Sequence, residues 1–140
     1  MYNYFDSKEA LLKEVILGGF NDLIEKFDPN HDGIITDEEF ENFINELFVI
    51  IDNSIEYWKL YFSVFTQPQV VDFIRPKYNE LFEKMMTPLM RFFERKNYDE
   101  PETEALIFGS ILDGLTFNYV YNPEPFQVKK IKNRILEMYL

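Results

Sequence analysis

Between Phe40 and Ile51 the large apolar side chains fall at Phe40, Phe43, Ile44, Leu47, Phe48 and Ile51. Steps of three and one keep them on one stripe of a 3.6-residue helix; a strand would scatter them to both faces. The same step recurs upstream in Leu11, Leu12, Val15, Ile16, Phe20, Leu23, Ile24 and Phe27. Clean alternation is absent. The spacing therefore predicts an all-α fold, a helical bundle. A length of 140 residues suits one domain, and 18% aromatic content implies an interior with room for large rings, or one that lines a pocket.

Turn chemistry divides the chain. The first helix is expected to start at Asp6 or Ser7, where Asp6 and Glu9 have the spacing of a capping box. Gly18-Gly19 weakens that helix locally or marks a close backbone approach. A third segment over 54–65 is aromatic on several sides and is expected to be deeply buried. Pro68 marks a break. Residues 69–97 read as one or two helices, with Pro76 in a first turn and Pro88 as a kink or stop. Residues 101–121 read as a strongly apolar helix. Pro123 and Pro125 end it, and a last helix over 126–140 is basic on one side through Lys129, Lys130, Lys132 and Arg134.

The stretch DPNHDGIITDEEF, which opens at Asp28, resembles the calcium loop of EF-hand proteins. That loop offers oxygen ligands from positions 1, 3, 5, 7, 9 and 12, with glycine at 6 for a sharp turn. Over 28–39 these places hold Asp28, Asn30, Asp32, Ile34 through its carbonyl, Thr36 and Glu39, with Gly33 at the turn. Apolar flanks at Phe20, Leu23, Ile24 and Phe27, and again at Phe40, Phe43, Ile44 and Leu47, agree with two helices around a Ca2+ site. The same residues also serve a metal-free turn, since Thr36 and Glu39 make a capping box. EF-hand loops usually pair, with position 8 meeting the partner loop. Position 8 here is Ile35, and no second loop matches, so weak binding by a structural clip is the expectation.

The formal charge of −11 argues against unaided binding of DNA or RNA. No cysteine is present, which excludes disulfides, thiolate zinc sites and cysteine nucleophiles. No apolar run is long enough to span a membrane and no signal-peptide pattern stands out. A cytoplasmic protein that does not engage a membrane is expected. His31 is the single histidine, and no nucleophile or acid–base signature accompanies it, so the chain does not read as an enzyme.

The opening MYNYFDSKEALLKEVI resembles the end of the DNA-binding region of TetR-family transcriptional regulators. There a recognition helix closes on an aromatic run ending in Phe, followed by a Ser-Lys-Glu turn and a long helix beginning Leu-Leu. Tyr2, Tyr4 and Phe5, then Ser7-Lys8-Glu9-Ala10-Leu11-Leu12, match that pattern. Two downstream stretches, IEYWKLYFSVFTQPQVV and ALIFGSILDGLTFNYVYNP, are similar to the family more loosely. The resemblance implies that 1–5 is the remnant of a recognition helix and 6–140 is the ligand-binding and dimerisation domain. The helix-turn-helix head is not in this chain, so DNA contact would need it. The resemblance also implies that Tyr2, Tyr4 and Lys8 sit at DNA-backbone positions, that a homodimer forms, and that a small apolar or aromatic effector binds between helices.

Tyr57, Trp58, Tyr61, Phe62, Phe65, Phe92 and Phe93 are the residues expected to line that pocket, or else they are plain core. Met85, Met86 and Met90 form a soft pocket wall or fill gaps. Gly109, Ser110 and Gly114 allow close helix crossing, across a two-fold axis or within the chain. The alternative from another class is a small EF-hand protein that engages a partner helix.

Overall fold

The computed structural model of the protein describes residues 4–140, with the backbone alone over 4–8. Among the described residues six helices follow one another: α1 (Tyr4–Phe27), α2 (Asp37–Asn53), α3 (Ile55–Val64), α4 (Pro68–Arg95), α5 (Pro101–Tyr121) and α6 (Val128–Tyr139). No strand occurs among the described residues. The chain is an all-α bundle, as the apolar spacing predicts.

The long α4 packs along both α5 and α1, while α6 closes over α2. Every member of the 40–51 stripe is buried. The centre is a cluster of rings. Phe40 lies flat on Phe92 with centroids 4.7 Å apart, and tilts against Phe108 at 5.1 Å. Tyr139 of α6 meets Phe108 edge-on at 5.2 Å. Offset stacks and edge contacts of this kind add to the burial of the rings themselves.

Several boundaries differ from expectation. No turn separates Phe5 from Glu9, because α1 already runs through Asp6 and Ser7. No proline or glycine stands between Tyr4 and Leu17 to interrupt the backbone ladder. Tyr2 lies outside the described residues, and so do the side chains of Tyr4 and Lys8. On α1, Leu11 and Val15 stay exposed at 62% and 42%, and Leu17 is buried instead. An apolar stripe drifts around a straight helix over several turns, so the inward face at Phe27 is not the inward face at Leu11.

Within 54–65 only Trp58, Tyr61 and Val64 are buried. Pro76 and Pro88 both lie inside α4, which starts at Pro68 and does not break. Each proline removes one amide from the ladder, and packing against α1 and α5 carries the helix through both sites. The last helix begins at Val128, after Phe126. The Phe126 ring instead plugs the bundle end against Tyr119 at 5.5 Å, and Lys132 Nζ ties α6 to α2 by donating to the Asn45 carbonyl at 2.9 Å. Among the described residues no helix is long and apolar enough to cross a membrane.

Candidate functional site

Two features stand apart from ordinary packing: the acidic loop between α1 and α2, and an apolar cavity in the middle of the bundle.

The loop turns on two left-handed residues, His31 at φ 55° and Gly33 at φ 71°. Glycine takes that conformation without a Cβ penalty. The reversal brings the Gly33 N–H to Asp28 Oδ2 at 2.9 Å and the Ile34 N–H to Asp32 Oδ1 at 2.9 Å. The Asn30 amide donates to Asp32 Oδ2 at 3.1 Å. Asp28 is only 8% exposed, and its Oδ1 is buried without any partner. Burial raises its carboxyl above the usual range; the Gly33 hydrogen bond opposes this, and the nearby Asp32 charge adds to it.

Thr36 and Glu39 form the capping box of α2: Thr36 Oγ1 accepts from the Glu39 N–H, and Glu39 Oε1 from the Thr36 N–H, each at 3.1 Å. Glu39 is thereby held on the helix end. Among the described residues no three Asp, Glu or His side chains converge as a ready ion cage. The donor chemistry nonetheless suits a hard cation, and the orphaned Asp28 oxygen is the kind of group an ion would satisfy.

Ile35 is fully buried, and its carbonyl accepts from the Arg95 guanidinium of α4. Lys96 reaches Asp37 at 2.8 Å beside it. The end of α4 thus packs directly against the turn at Ile35 and the start of α2.

The cavity has a volume of about 100 Å³ and touches five helices. Its walls are Phe20 and Leu23 of α1, Phe43, Leu47 and Ile51 of α2, and Trp58 and Tyr61 of α3. From α4 come Tyr78, Phe82, Met85 and Met86, and from α5 Leu106, Gly109, Ser110, Leu112, Asp113 and Thr116. An apolar void of about 150 Å³ stays dry and takes up benzene, so this space is near the size of one small ring. Ser110 and Thr116 spend their hydroxyls on their own helix, donating to the Leu106 and Leu112 carbonyls. Burial pushes the Tyr61 and Tyr78 phenols up, so both stay protonated at neutral pH.

Two polar groups in the wall are left over. The Trp58 indole N–H is buried without a partner. Asp113 lies at the cavity mouth, on the exposed side of α5 between Leu106 and Phe117. The protein packed around that mouth still desolvates it and pushes its carboxyl up to about 6. A carboxyl raised in the folded state favours folding while protonated, and this contribution is lost as pH rises from about 4 through about 6. Asp113→Asn is therefore expected to raise the melting temperature at pH 7.5 and to lose that advantage at pH 4. Scanning calorimetry of both proteins at the two pH values checks it; an equal or lower melting temperature for the variant at pH 7.5 contradicts the assignment.

The expected pocket residues divide. Trp58 and Tyr61 line the cavity, and so do Met85 and Met86. Tyr57 instead lays its ring on α1 at Gly19 and donates from its hydroxyl to the Ile16 carbonyl at 2.7 Å. Phe65 stacks on Tyr61 at 4.4 Å and Phe62 meets Phe117 at 5.2 Å, both outside the cavity wall. Phe92 and Phe93 are fully buried core beside Phe40 and Tyr98. Sequence reasoning missed Asp113, although it is the single charged residue in the apolar run 105–121. No neighbouring atom lies within 4 Å of a side chain built at Gly109 or Gly114. Close crossing within this chain is thus not what these glycines serve. No family model matches the chain, nor does any curated protein or solved structure.

Proposed function

We propose that this chain is the effector-binding and dimerisation domain of a TetR-like transcriptional regulator, with the cavity as its effector site. The observation that carries the reading is a five-helix apolar cavity whose wall contains a buried, unpartnered Trp58 N–H. An unpaired buried donor costs about 1–3 kcal/mol, and the ring face or an acceptor atom of a guest would give it a partner. Phe20 and Leu23 place α1 in the same wall. That is the helix a preceding DNA-binding head would join. A guest that fits one setting of α1 better than another shifts the population between settings by its difference in affinity.

The dimer in this reading uses the outer face of α5. Ile107 and Tyr121 are exposed there at 46% and 82%, and Gly114 between them leaves room for a second helix, while Leu106, Gly109 and Ser110 line the cavity. Toluene titrated into the protein tests the cavity through the fluorescence of Trp58, the single tryptophan. A saturable change with a raised melting temperature supports the reading, and no change up to the solubility limit counts against it. Sedimentation tests the dimer independently.

A structural calcium clip accompanies this function, on the strength of the orphaned Asp28 oxygen. Asp28, Asn30, Asp32, Thr36 and Glu39 would hold the ion with the Ile34 carbonyl, and the ion would supply the positive charge these oxygens lack. Calcium at one hundred times its dissociation constant is expected to stabilise the fold by about 2.7 kcal/mol. Asp28→Asn and Glu39→Gln should each remove most of that gain. An unchanged melting curve at about 10 mM Ca2+, roughly tenfold above the weak limit for such loops, would exclude the clip. The alternative, an EF-hand protein that opens a groove for a partner helix, predicts a monomer whose apolar surface appears only with calcium.

A further inference from the structure

We propose that the guest of this cavity is an organic monocation: a protonated or quaternary amine carrying one small apolar or aromatic group, with its charge on Asp113 and its body among the rings of Trp58, Tyr61, Tyr78 and Phe82. The proposal rests on reading the cavity as an effector site. Asp113 stands on the wall with no hydrogen bond or ion pair among the described residues, and no Lys or Arg lines the cavity. Asp113 is exposed at the mouth, so its charge is within reach, and a cation brought by the guest would pair with it beside the apolar wall.

The rest of the wall points the same way. Aromatic faces are negative and attract cations, most strongly where water is displaced. Trp58, Tyr61, Tyr78 and Phe82 are four such rings. An anionic guest would meet the Asp113 charge and a chain of net charge −11. A neutral guest would cover Asp113 without neutralising it. Size sets the body: a space of about 100 Å³ takes one ring, with the ammonium at the mouth beside Asp113.

Matched probes separate the possibilities: toluene, benzyl alcohol, benzylamine and benzoate at pH 7.5, each followed by Trp58 fluorescence and melting temperature. Benzylamine is expected to bind at least about tenfold more tightly than benzyl alcohol, with benzoate weakest. Asp113→Asn should erase the preference and leave toluene binding in place, and Asp113→Glu should keep it. If toluene binds but benzylamine and benzyl alcohol bind alike, the cavity is an effector site and the cation proposal is overturned. Preference for benzyl alcohol would assign Asp113 as a protonated donor and overturns it equally. If no probe binds the wild type or either variant, the effector-site reading falls and takes this proposal with it.

Discussion

Phe40→Ala is expected to cost about 3–5 kcal/mol, the largest loss from any single truncation of the core. The ring is fully buried and meets aromatic partners from four other helices: Phe27 of α1, Phe92 of α4, Phe108 of α5 and Tyr139 of α6. Removing it takes the partner off the flat face of Phe92 and leaves a void that rigid neighbours fill badly. Urea unfolding measures the effect as a fall in midpoint with little change in slope. A loss below about 1 kcal/mol would mean that the ring cluster relaxes into the space and that Phe40 is not its centre. Phe40 also begins immediately after the acidic loop. The same substitution therefore loosens the core directly beside that loop.

The second large effect is a contrast between adjacent glycines. Gly19→Ala is expected to destabilise by about 1–3 kcal/mol, because its methyl would clash with the Tyr57 ring. The ring cannot swing away freely, being fixed by its hydroxyl on the Ile16 carbonyl. Gly18→Ala meets nothing within 4 Å, so helix propensity acts alone and stabilises by up to about 1 kcal/mol. Thermal or urea melts of the two variants should shift in opposite directions. In a Tyr57→Leu background the Gly19 penalty should shrink, which isolates the clash from any general effect on α1. Equal shifts of one sign for both alanines would contradict the close approach.

These contrasts also show which parts of the molecule were legible in the sequence. Helix α5 runs over Pro101–Tyr121 as read, since prolines and a run of apolar residues mark both ends. The stripe from Phe40 to Ile51 is buried throughout, because a helix of that length cannot present those positions any other way. The Gly18-Gly19 pair could be flagged, but only the structure tells which glycine touches a ring. Phe92 and Phe93 look like Trp58 and Tyr61 in a one-dimensional reading. All four are large rings on helical spacing, and whether a ring faces a void or another ring depends on three other helices. Pro76 lies inside α4 rather than in a first turn for a similar reason: the local cost of a proline is fixed, while the packing that offsets it is tertiary. The loop was readable as chemistry, yet the grip of Thr36 on Glu39 and the arrival of Arg95 at Ile35 are contacts of the folded chain.

The two prolines of α4 have a mechanical consequence for the cavity. Pro76 leaves the Asp72 carbonyl without its amide and Pro88 does the same for Lys84, so the ladder is weakened at two points along one rod. Tyr78, Phe82, Met85 and Met86 all lie between those prolines. The α4 wall is therefore a panel hung on two compliant joints, with unbranched methionines on its inner side. Among the helices that line the cavity α4 alone carries prolines in its interior, so its backbone ladder is interrupted on both sides of the cavity wall, while Phe92 and Phe93 beyond Pro88 stay locked in the ring cluster.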